Sequence, residues 1–239
     1  MLRVFSADNA PTTLLPPPPI DAEVPPRLET ATIGVGCFWA PDAQFGVVEG
    51  VWRTRVGYSG GTTRNPTYRD IGGHTECVQI DFDPSTVSYE ALVELALTSH
   101  DPFGATFKEQ YASMILAHDD AQLSAALAVA ERFETARCRK LVTRIEVLKQ
   151  FYLAEHYHQK YALRNDRLLI ADFRAMFADD DSFRESTAAA RVNGYVAGEG
   201  SRATLEREIG RFGLTFVAGE HLAQKGFRGS RGGPRRGLT

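Results

Sequence analysis

The sequence predicts an α+β fold: a split β-α-β, ferredoxin-like two-layer sandwich with a mixed or antiparallel sheet, helices, and a C-terminal helical extension. Strand-like and helix-like segments follow one another in the order β-α-β-β-α-β through the first half of the chain. Apolar residues recur with a period of two in the strand-like segments and of three to four in the helix-like ones. The chain has 239 residues, of which 43% are hydrophobic, so it can bury one sizeable core.

The first three strands flank a short helix and a long loop. Residues 31–36 form an apolar, strand-like run, and residues 38–48 have the pattern of a short helix with a proline tolerated in its first turn. Residues 51–58 and 76–82 alternate in polarity, as strands with one buried face do. Between them, residues 59–75 are rich in glycine, and a loop this long inside a compact domain is usually functional.

A second helix and a fourth strand complete the predicted sandwich. Ser88 is a suitable N-cap for that helix, and residues 111–117 are strand-like. Asp119 and Gln122 form a capping-box pattern at the start of the next helix. Residues 142–148 are predicted to add an edge strand.

The remaining chain predicts helices. Residues 152–178 have a helical pattern. Ser182 and Glu185 form a second capping box, and Ser201 is the predicted N-cap of a further helix.

These features divide the chain into four parts. Residues 1–29 form a proline-rich lead that is predicted to be disordered or extended. Residues 30–163 form the main domain, which carries the candidate catalytic residues, and residues 164–224 form a helical extension. Residues 225–239 form a basic tail among glycines, which is predicted to be disordered.

Composition and charge exclude several functional classes. A net charge of −3 argues against nucleic acid or an anionic membrane as the main partner. No apolar run approaches the length of a membrane span, and the first residues lack a secretory pattern, so we expect a cytoplasmic protein. Cys37, Cys77 and Cys138 are too few and too scattered for a disulfide framework or a zinc site. We expect no bound metal or cofactor, and a monomer.

Cys37 is the candidate nucleophile. It follows a strand and precedes a helix, where the helix macrodipole and unpaired backbone N–H groups lower a thiol pKa. The next residues, Phe38 and Trp39, are large aromatics that can form an apolar slot for a small substrate group. The alternative is a core cysteine between core aromatics.

Glu76 is the candidate general acid. It begins a strand whose face is otherwise apolar, and an apolar setting raises the pKa of a carboxyl group. The alternative is an ordinary solvent-facing acid at the end of a strand.

Two tyrosines are candidate hydrogen-bond donors to a substrate oxygen. Tyr58 ends one strand and Tyr111 begins another, so both lie where a scaffold presents catalytic groups. The alternative is that each is a buried tyrosine with a structural hydrogen-bond partner.

An ordered series of short motifs extends this pattern over residues 31–163. The series is Gly36-Cys37-Phe38-Trp39, Thr54-Arg55-Val56-Gly57-Tyr58-Ser59-Gly60-Gly61, Asn65-Pro66-Thr67-Tyr68, Gly73-His74-Thr75-Glu76, Asp83-Pro84, His100-Asp101-Pro102, Gln110-Tyr111, Phe151-Tyr152-Leu153-Ala154-Glu155 and Tyr157-His158-Gln159. It resembles the A-type methionine sulfoxide reductases, the peptide-methionine (S)-S-oxide reductases.

The resemblance implies a thiol-dependent oxidoreductase that repairs proteins under oxidative stress. In such an enzyme the Cys37 thiolate attacks the sulfoxide sulfur, and Glu76 protonates the sulfoxide oxygen with help from the two candidate tyrosines. The two aromatic residues after the cysteine hold the S-methyl group. Methionine then leaves, and Cys37 becomes a sulfenic acid. The implied substrates are oxidised proteins or free methionine sulfoxide, as the S epimer.

The chain departs from the family pattern at several positions. Ala40 stands where Gly is frequent, and His156 stands where an acid is usual. Thr106 takes the position of an Asp that helps to arrange the site, so its support is expected from Thr106, Glu109 or water. Many members carry resolving cysteines near the C-terminus, whereas this sequence has no cysteine after Cys138.

We therefore expect a one-cysteine cycle. An external thiol, which is thioredoxin, glutaredoxin or a small thiol, reduces the sulfenic acid directly. Strand alternation directs Cys77 to the opposite sheet face from Glu76, into the core. Cys138 lies among basic residues that could make it reactive.

Two rival hypotheses remain open from the sequence. One is a cysteine hydrolase that pairs Cys37 with His74 or His100 as its base. The other is a non-catalytic family member that binds oxidised methionine or senses thiols, which the altered segment before Tyr111 would explain.

Overall fold

Six strands form one sheet in the part of the chain that the structure, a computed structural model, describes: residues 15–225. Residues 1–14 of the predicted lead and residues 226–239 of the predicted tail lie outside the described residues. The strands are β1 (Glu29–Val35), β2 (Val51–Ser59), β3 (Thr75–Phe82), β4 (Ser113–Ala117), β5 (Arg144–Val147) and β6 (Phe151–Leu153).

The sheet is mixed, with the strand order β5-β4-β1-β3-β2-β6. β3 lies between β1 and β2 and runs antiparallel to both, so β1 and β2 are parallel to each other. β4 pairs antiparallel with β1 and parallel with β5, and β6 pairs antiparallel with β2. The predicted α+β class with a mixed sheet is confirmed.

Helices follow the strands and then fill the C-terminal part. They are α1 (Trp39–Gly46), α2 (Tyr89–Thr98), α3 (Asp120–Arg137), α4 (Tyr161–Arg164), α5 (Arg167–Met176), α6 (Asp180–Arg184), α7 (Thr187–Ala197), α8 (Arg202–Glu208) and α9 (Phe216–Lys225). Ser88 and Asp119 cap α2 and α3 as predicted, since each side chain accepts a backbone N–H from the first turn. None of the helices within residues 15–225 has both the length and the apolar composition that a bilayer span requires.

The two faces of the sheet have different roles. Val78, Ile80 and Phe82 of β3 belong to the core that includes α2 and α3. The alternate residues of the strand, which include Cys77, face the other way, where Cys77 packs with Met114. Glu76 has the parity of the first set, so its side chain lies on the helix-covered face at the start of β3.

A second apolar core lies among the C-terminal helices. Its fully buried members include Leu163, Leu169, Phe173, Val192, Tyr195, Phe212 and Leu222. Ile20, from the predicted lead, joins this core through a short 3-10 helix at Pro19–Ala22. The prediction of a disordered or extended lead is therefore wrong for this segment, because burial of an apolar side chain fixes it to the extension.

Two predictions of helix starts are also wrong. The predicted helix over 152–178 begins with strand β6, because Tyr152 pairs with Tyr58 along the edge of β2. Ser182 is not an N-cap: Asp179 caps α6 and accepts the Ser182 backbone N–H at 2.7 Å. Ser201 caps α8 as predicted.

Candidate active site

Cys37 lies between β1 and α1, at the end of the sheet where β3 begins. Gly36 has a φ of 90°, a left-handed conformation that favours glycine, and it turns the chain out of the strand. Phe38 is the N-cap residue of α1, and Cys37 is exposed to solvent. The local fold therefore presents the cysteine at the N-terminal end of α1, as the sequence predicts.

The pKa of the Cys37 thiol is raised above its ordinary value, and the prediction of a lowered pKa is wrong. Desolvation is the main cause, and the nearby Glu76 adds to it, while the backbone N–H of Trp39 opposes the shift. The helix terminus therefore does not dominate here, and the thiol retains its proton to a higher pH than an ordinary cysteine does.

Glu76 is buried, with 1% of its surface exposed. Its Oε2 accepts the backbone N–H of Phe38 at 3.0 Å, and its Oε1 accepts the side-chain amide of Gln110 at 2.7 Å. Desolvation raises the pKa of Glu76, although these hydrogen bonds and the Cys37 thiol oppose the shift. It is thus a buried acid that retains its proton to higher pH than an exposed glutamate, rather than a solvent-facing acid at a strand end.

Two phenol groups meet beside this pair. The phenol of Tyr111 lies near that of Tyr68, close enough for Tyr68 to affect its pKa. Desolvation, with the neighbouring Glu76 and Tyr68, raises the pKa of Tyr111 to about 12, so the phenol stays a neutral donor at physiological pH. The sequence did not single out Tyr68, although its motif and its glycine-rich loop were the available signals.

Tyr58 lies near the end of β2, as predicted, but its hydroxyl has a partner within the protein. Its side chain is buried, and its hydroxyl donates to Oε2 of Glu155 at 2.8 Å. Oε1 of Glu155 accepts the backbone N–H of Tyr68 at 3.0 Å. Burial works against ionisation of Glu155, but hydrogen bonds, including the one from Tyr58, lower its pKa. As a correction, Tyr58 uses its proton within the protein and supports the loop that carries Tyr68.

Phe38 and Trp39 form an aromatic wall beside Cys37. Phe38 is buried, with its ring centroid 5.9 Å from that of Tyr58 and 5.1 Å from that of His158. The indole of Trp39 stacks on Tyr161, with centroids 3.7 Å apart and planes inclined by 6°. Its indole N–H faces Nδ1 of His158 at 3.3 Å, so the wall is held on two sides. An aromatic wall of this kind offers apolar contact area that suits a methyl group.

The two histidines of the hydrolase hypothesis are engaged elsewhere. The ring nitrogens of His74 lie 3.2 Å and 2.8 Å from backbone groups of its own glycine-rich loop. Those of His100 lie 2.9 Å from a carbonyl oxygen of α2 and 2.8 Å from Oγ of Ser113. Neither histidine is therefore placed as a base for Cys37.

Thr106, one of the positions where the chain departs from the family pattern, makes no contact with the acid among the described hydrogen bonds. Thr106 is exposed, and its hydroxyl has only a 3.4 Å contact with Lys108, so it does not arrange the acid. That support comes from Gln110, which the sequence did not single out for this role. Cys77 is buried on the other sheet face, as predicted, and burial raises its pKa. Cys138 is exposed at the C-cap of α3.

The fold and the site together define a class of protein. It is an α+β enzyme in which an exposed cysteine is paired with a buried carboxylic acid and phenol donors beside an aromatic wall. Within residues 15–225, no three His, Cys, Asp or Glu side chains cluster in a way that could hold a metal ion.

Comparisons with known proteins give the particular family. The family model described as peptide methionine sulfoxide reductase matches residues 29–190. A relative in Drosophila melanogaster, named peptide methionine sulfoxide reductase, is 39% identical over 189 residues, which cover 78% of this chain and 75% of that protein. A relative in Methanothermobacter thermautotrophicus, named peptide methionine sulfoxide reductase MsrA, is 44% identical over 152 residues, covering 59% of this chain and 90% of its own.

Solved structures agree with this assignment. Methionine sulfoxide reductase A of Corynebacterium diphtheriae is 30% identical, with a TM-score of 0.55 over 69% of this chain and 92% of its own. Reduced Mxr1 from Saccharomyces cerevisiae is 25% identical, with a TM-score of 0.56 over 60% of this chain and 89% of its own. The chain belongs to the peptide methionine sulfoxide reductase family, in its A-type branch.

Proposed function

We propose that this protein reduces the S epimer of methionine sulfoxide, protein-bound or free, to methionine. Membership of the family supports the reaction class. One observation carries the proposal: the backbone N–H of Phe38, the residue after the exposed Cys37, donates at 3.0 Å to Glu76, a buried acid that forms no ion pair among the described residues. A thiol supplies the two electrons, and such an acid supplies the proton that the sulfoxide oxygen requires.

The reaction balances with these two residues. A bond forms between Sγ of Cys37 and the sulfoxide sulfur while Glu76 gives its proton to the sulfoxide oxygen. The proton of the thiol replaces the one that Glu76 has lost. The oxygen then ends as a hydroxyl on Sγ, the bond between the two sulfurs breaks, and methionine leaves. One thiol and one sulfoxide become one sulfenic acid and one thioether, so Cys37 is oxidised by two electrons.

The remaining site residues bind and orient the substrate. Phe38 and Trp39 hold the S-methyl group against the aromatic wall. Tyr111 and Tyr68 donate hydrogen bonds to the sulfoxide oxygen as negative charge develops on it. Tyr68 takes the role expected of Tyr58, because the hydroxyl of Tyr58 is committed to Glu155.

An external thiol completes the cycle, for which thioredoxin, glutaredoxin or a small thiol is suitable. It attacks the sulfenic sulfur, and a mixed disulfide forms as water leaves. A second thiol then attacks the mixed disulfide at the sulfur of the first reductant. This step releases the Cys37 thiol, and the reductant leaves as a disulfide. Cys77 and Cys138 are not needed, so Cys77→Ser and Cys138→Ser are expected to retain multiple turnover. Loss of recycling in either variant would reject the one-cysteine cycle.

The direct experiment is dithiothreitol-driven reduction of dabsylated methionine sulfoxide, supplied as each pure epimer. We expect turnover of the S epimer by the wild type and none by Cys37→Ser. Turnover of neither epimer by the wild type would contradict the proposal and favour a binding or sensing role. Cleavage of a thioester in parallel would instead favour the hydrolase hypothesis.

The architecture supports a division of the chain into a catalytic domain and an extension. We propose residues 30–163 as the catalytic domain, built on a split β-α-β, ferredoxin-like core, with residues 164–224 as its helical extension. The order β4-β1-β3-β2, with β3 antiparallel between two parallel strands, supports this description. We also propose a cytoplasmic monomer, since a small, odd number of cysteines is typical of a reducing compartment. Light scattering coupled to size-exclusion chromatography tests the oligomeric state.

A further inference from the structure

Helix α7 of the extension packs directly on α1, the helix that follows the nucleophile. A Cβ atom added at Gly46 of α1 would lie 2.5 Å from the carbonyl oxygen of Ala190. One added at Gly194 of α7 would lie 2.4 Å from the carbonyl oxygen of Ala43. The absence of side chains at these two glycines therefore permits a close approach of the two backbones.

Arg191 of α7 binds the C-terminal end of α1. The residue is 5% exposed, and one guanidinium nitrogen donates to the carbonyl oxygens of Gly46 at 3.1 Å and Val48 at 2.5 Å. The other terminal nitrogen donates to the carbonyl oxygen of Val51 at 3.0 Å. A cation at this end satisfies free carbonyl groups and favours the dipole of the helix.

Asn193 of α7 binds the first turn of the same helix. Its side-chain amide donates to Oδ2 of Asp42 at 3.2 Å, and its Oδ1 accepts the Leu163 backbone N–H at 3.1 Å. Asp42 lies five residues after Cys37 and is fully buried, with Lys160 Nζ at 3.0 Å from its Oδ1. Both ends of α1 are thus held by one helix of the extension.

We propose that Arg191 and Asn193 are positioning residues of the active site, acting through α1 on Cys37 and Glu76. Both lie just beyond the matched segment 29–190. The backbone N–H of Phe38, which immediately precedes α1, is a hydrogen-bond donor to Glu76. A displacement of α1 therefore changes the contact between the thiol and the acid. The role assigned to this contact rests on the proposed function.

The test compares Arg191→Met and Asn193→Leu, which keep side-chain size but remove the hydrogen bonds, with Arg191→Lys, which keeps the charge. Val192→Ala is the matched control, because Val192 is in the same helix but packs in the C-terminal core. Thermal unfolding by circular dichroism sets a temperature at which all variants are folded. Two quantities are then measured: kcat/KM for the S epimer, and the pH midpoint of Cys37 alkylation by iodoacetamide.

We expect Arg191→Met and Asn193→Leu to lower kcat/KM by about tenfold, since small misplacements of reacting groups are costly. Their alkylation midpoint falls, because a displaced α1 weakens the desolvation and the contact with Glu76 that raise the pKa of Cys37. Arg191→Lys gives an intermediate result, and Val192→Ala lowers only the melting temperature.

Unchanged alkylation midpoints and unchanged kcat/KM in folded Arg191→Met and Asn193→Leu would overturn the inference. An equal shift of the alkylation midpoint in Val192→Ala would also overturn it. If Arg191→Met does not fold, alkylation midpoints equal to that of the wild type in both Asn193→Leu and Arg191→Lys would overturn the inference. Alkylation requires no sulfoxide reduction, so a wild type without reductase activity rejects the proposed function while the midpoint still tests the positioning.

Discussion

Two buried carboxyl groups near α1 have opposite surroundings. Glu76 is bound by a backbone N–H and an amide, and no ion pair of the described residues includes it. Asp42 accepts from the Nζ of Lys160 at 3.0 Å, from the hydroxyl of Thr54 at 2.6 Å and from the amide of Asn193 at 3.2 Å. Both residues are buried carboxyl groups, but Glu76 has no cationic partner and Asp42 has Lys160 as one.

The difference explains two roles for one functional group. A buried carboxyl group without an ion pair favours its neutral form, so Glu76 retains its proton to a higher pH than an exposed glutamate does. The cation and the hydrogen-bond donors around Asp42 offset the cost of burying its charge. Asp42 can therefore join α1 to Thr54 of β2 and Asn193 of α7. Burial also lowers the pKa of Lys160, while Asp42 opposes that shift.

The largest expected effect is on the rate. Glu76→Gln keeps the shape and the acceptor for the Phe38 backbone N–H but has no proton of suitable acidity. We expect it to lower kcat for the S epimer by about 10²–10⁴-fold, the usual contribution of a general acid, with little change in melting temperature. Steady-state kinetics and thermal unfolding of the same preparation check this. A near-normal kcat in Glu76→Gln would show that Glu76 is not the general acid.

The next effect is on stability. Asp42→Asn removes the charge that compensates Lys160, and breaking a buried pair by one partner costs about 3–5 kcal/mol in the free energy of unfolding. Urea denaturation measures the loss. The double variant Asp42→Leu with Lys160→Met is the control, and it should regain much of that loss because no uncompensated charge remains. Equal stability of Asp42→Asn and wild type would show that the pair contributes nothing.

A smaller effect separates the two tyrosines. Tyr68→Phe removes a proposed donor to the sulfoxide oxygen, so we expect about a tenfold loss of kcat with unchanged stability. Tyr58→Phe removes the donor to Glu155, so we expect about 1 kcal/mol of destabilisation and a smaller kinetic loss. Steady-state kinetics and urea denaturation of both variants measure these two effects side by side. The reverse pattern would restore Tyr58 as the substrate ligand.

The tyrosines also show what the sequence could and could not predict. An apolar run precedes Cys37 and apolar alternation follows from Glu76, so the sequence predicts that both residues lie at strand ends, as they do in β1 and β3. Tyr58 and Tyr68 cannot be distinguished by local pattern, because Tyr68 depends on how its loop folds. That loop is held by Glu155, which is 87 residues distant in the sequence.

Long-range contacts account for the other errors. β6 is a strand only because the edge of β2 is available for pairing, which no local propensity records. The shift in the pKa of Cys37 depends on desolvation and on Glu76, whereas the sequence shows only the helix terminus. Polar residues in α7 gave no signal of their own, since their partners lie in α1 and in the chain beside it.

The measurement that tests the central claim most directly is the pH dependence of single-turnover sulfenic acid formation, in wild type and in Glu76→Gln. Because the pKa of Glu76 is raised from 4.5, its reactive protonated form is present below that raised value and is lost as pH increases through it. The account predicts that the wild-type rate is nearly level above this pKa, because the loss of protonated Glu76 offsets the gain in Cys37 thiolate. In Glu76→Gln, the slow residual rate should keep rising with pH, because it follows thiol ionisation alone. The same pH dependence in both proteins would contradict the claim that Glu76 donates the proton.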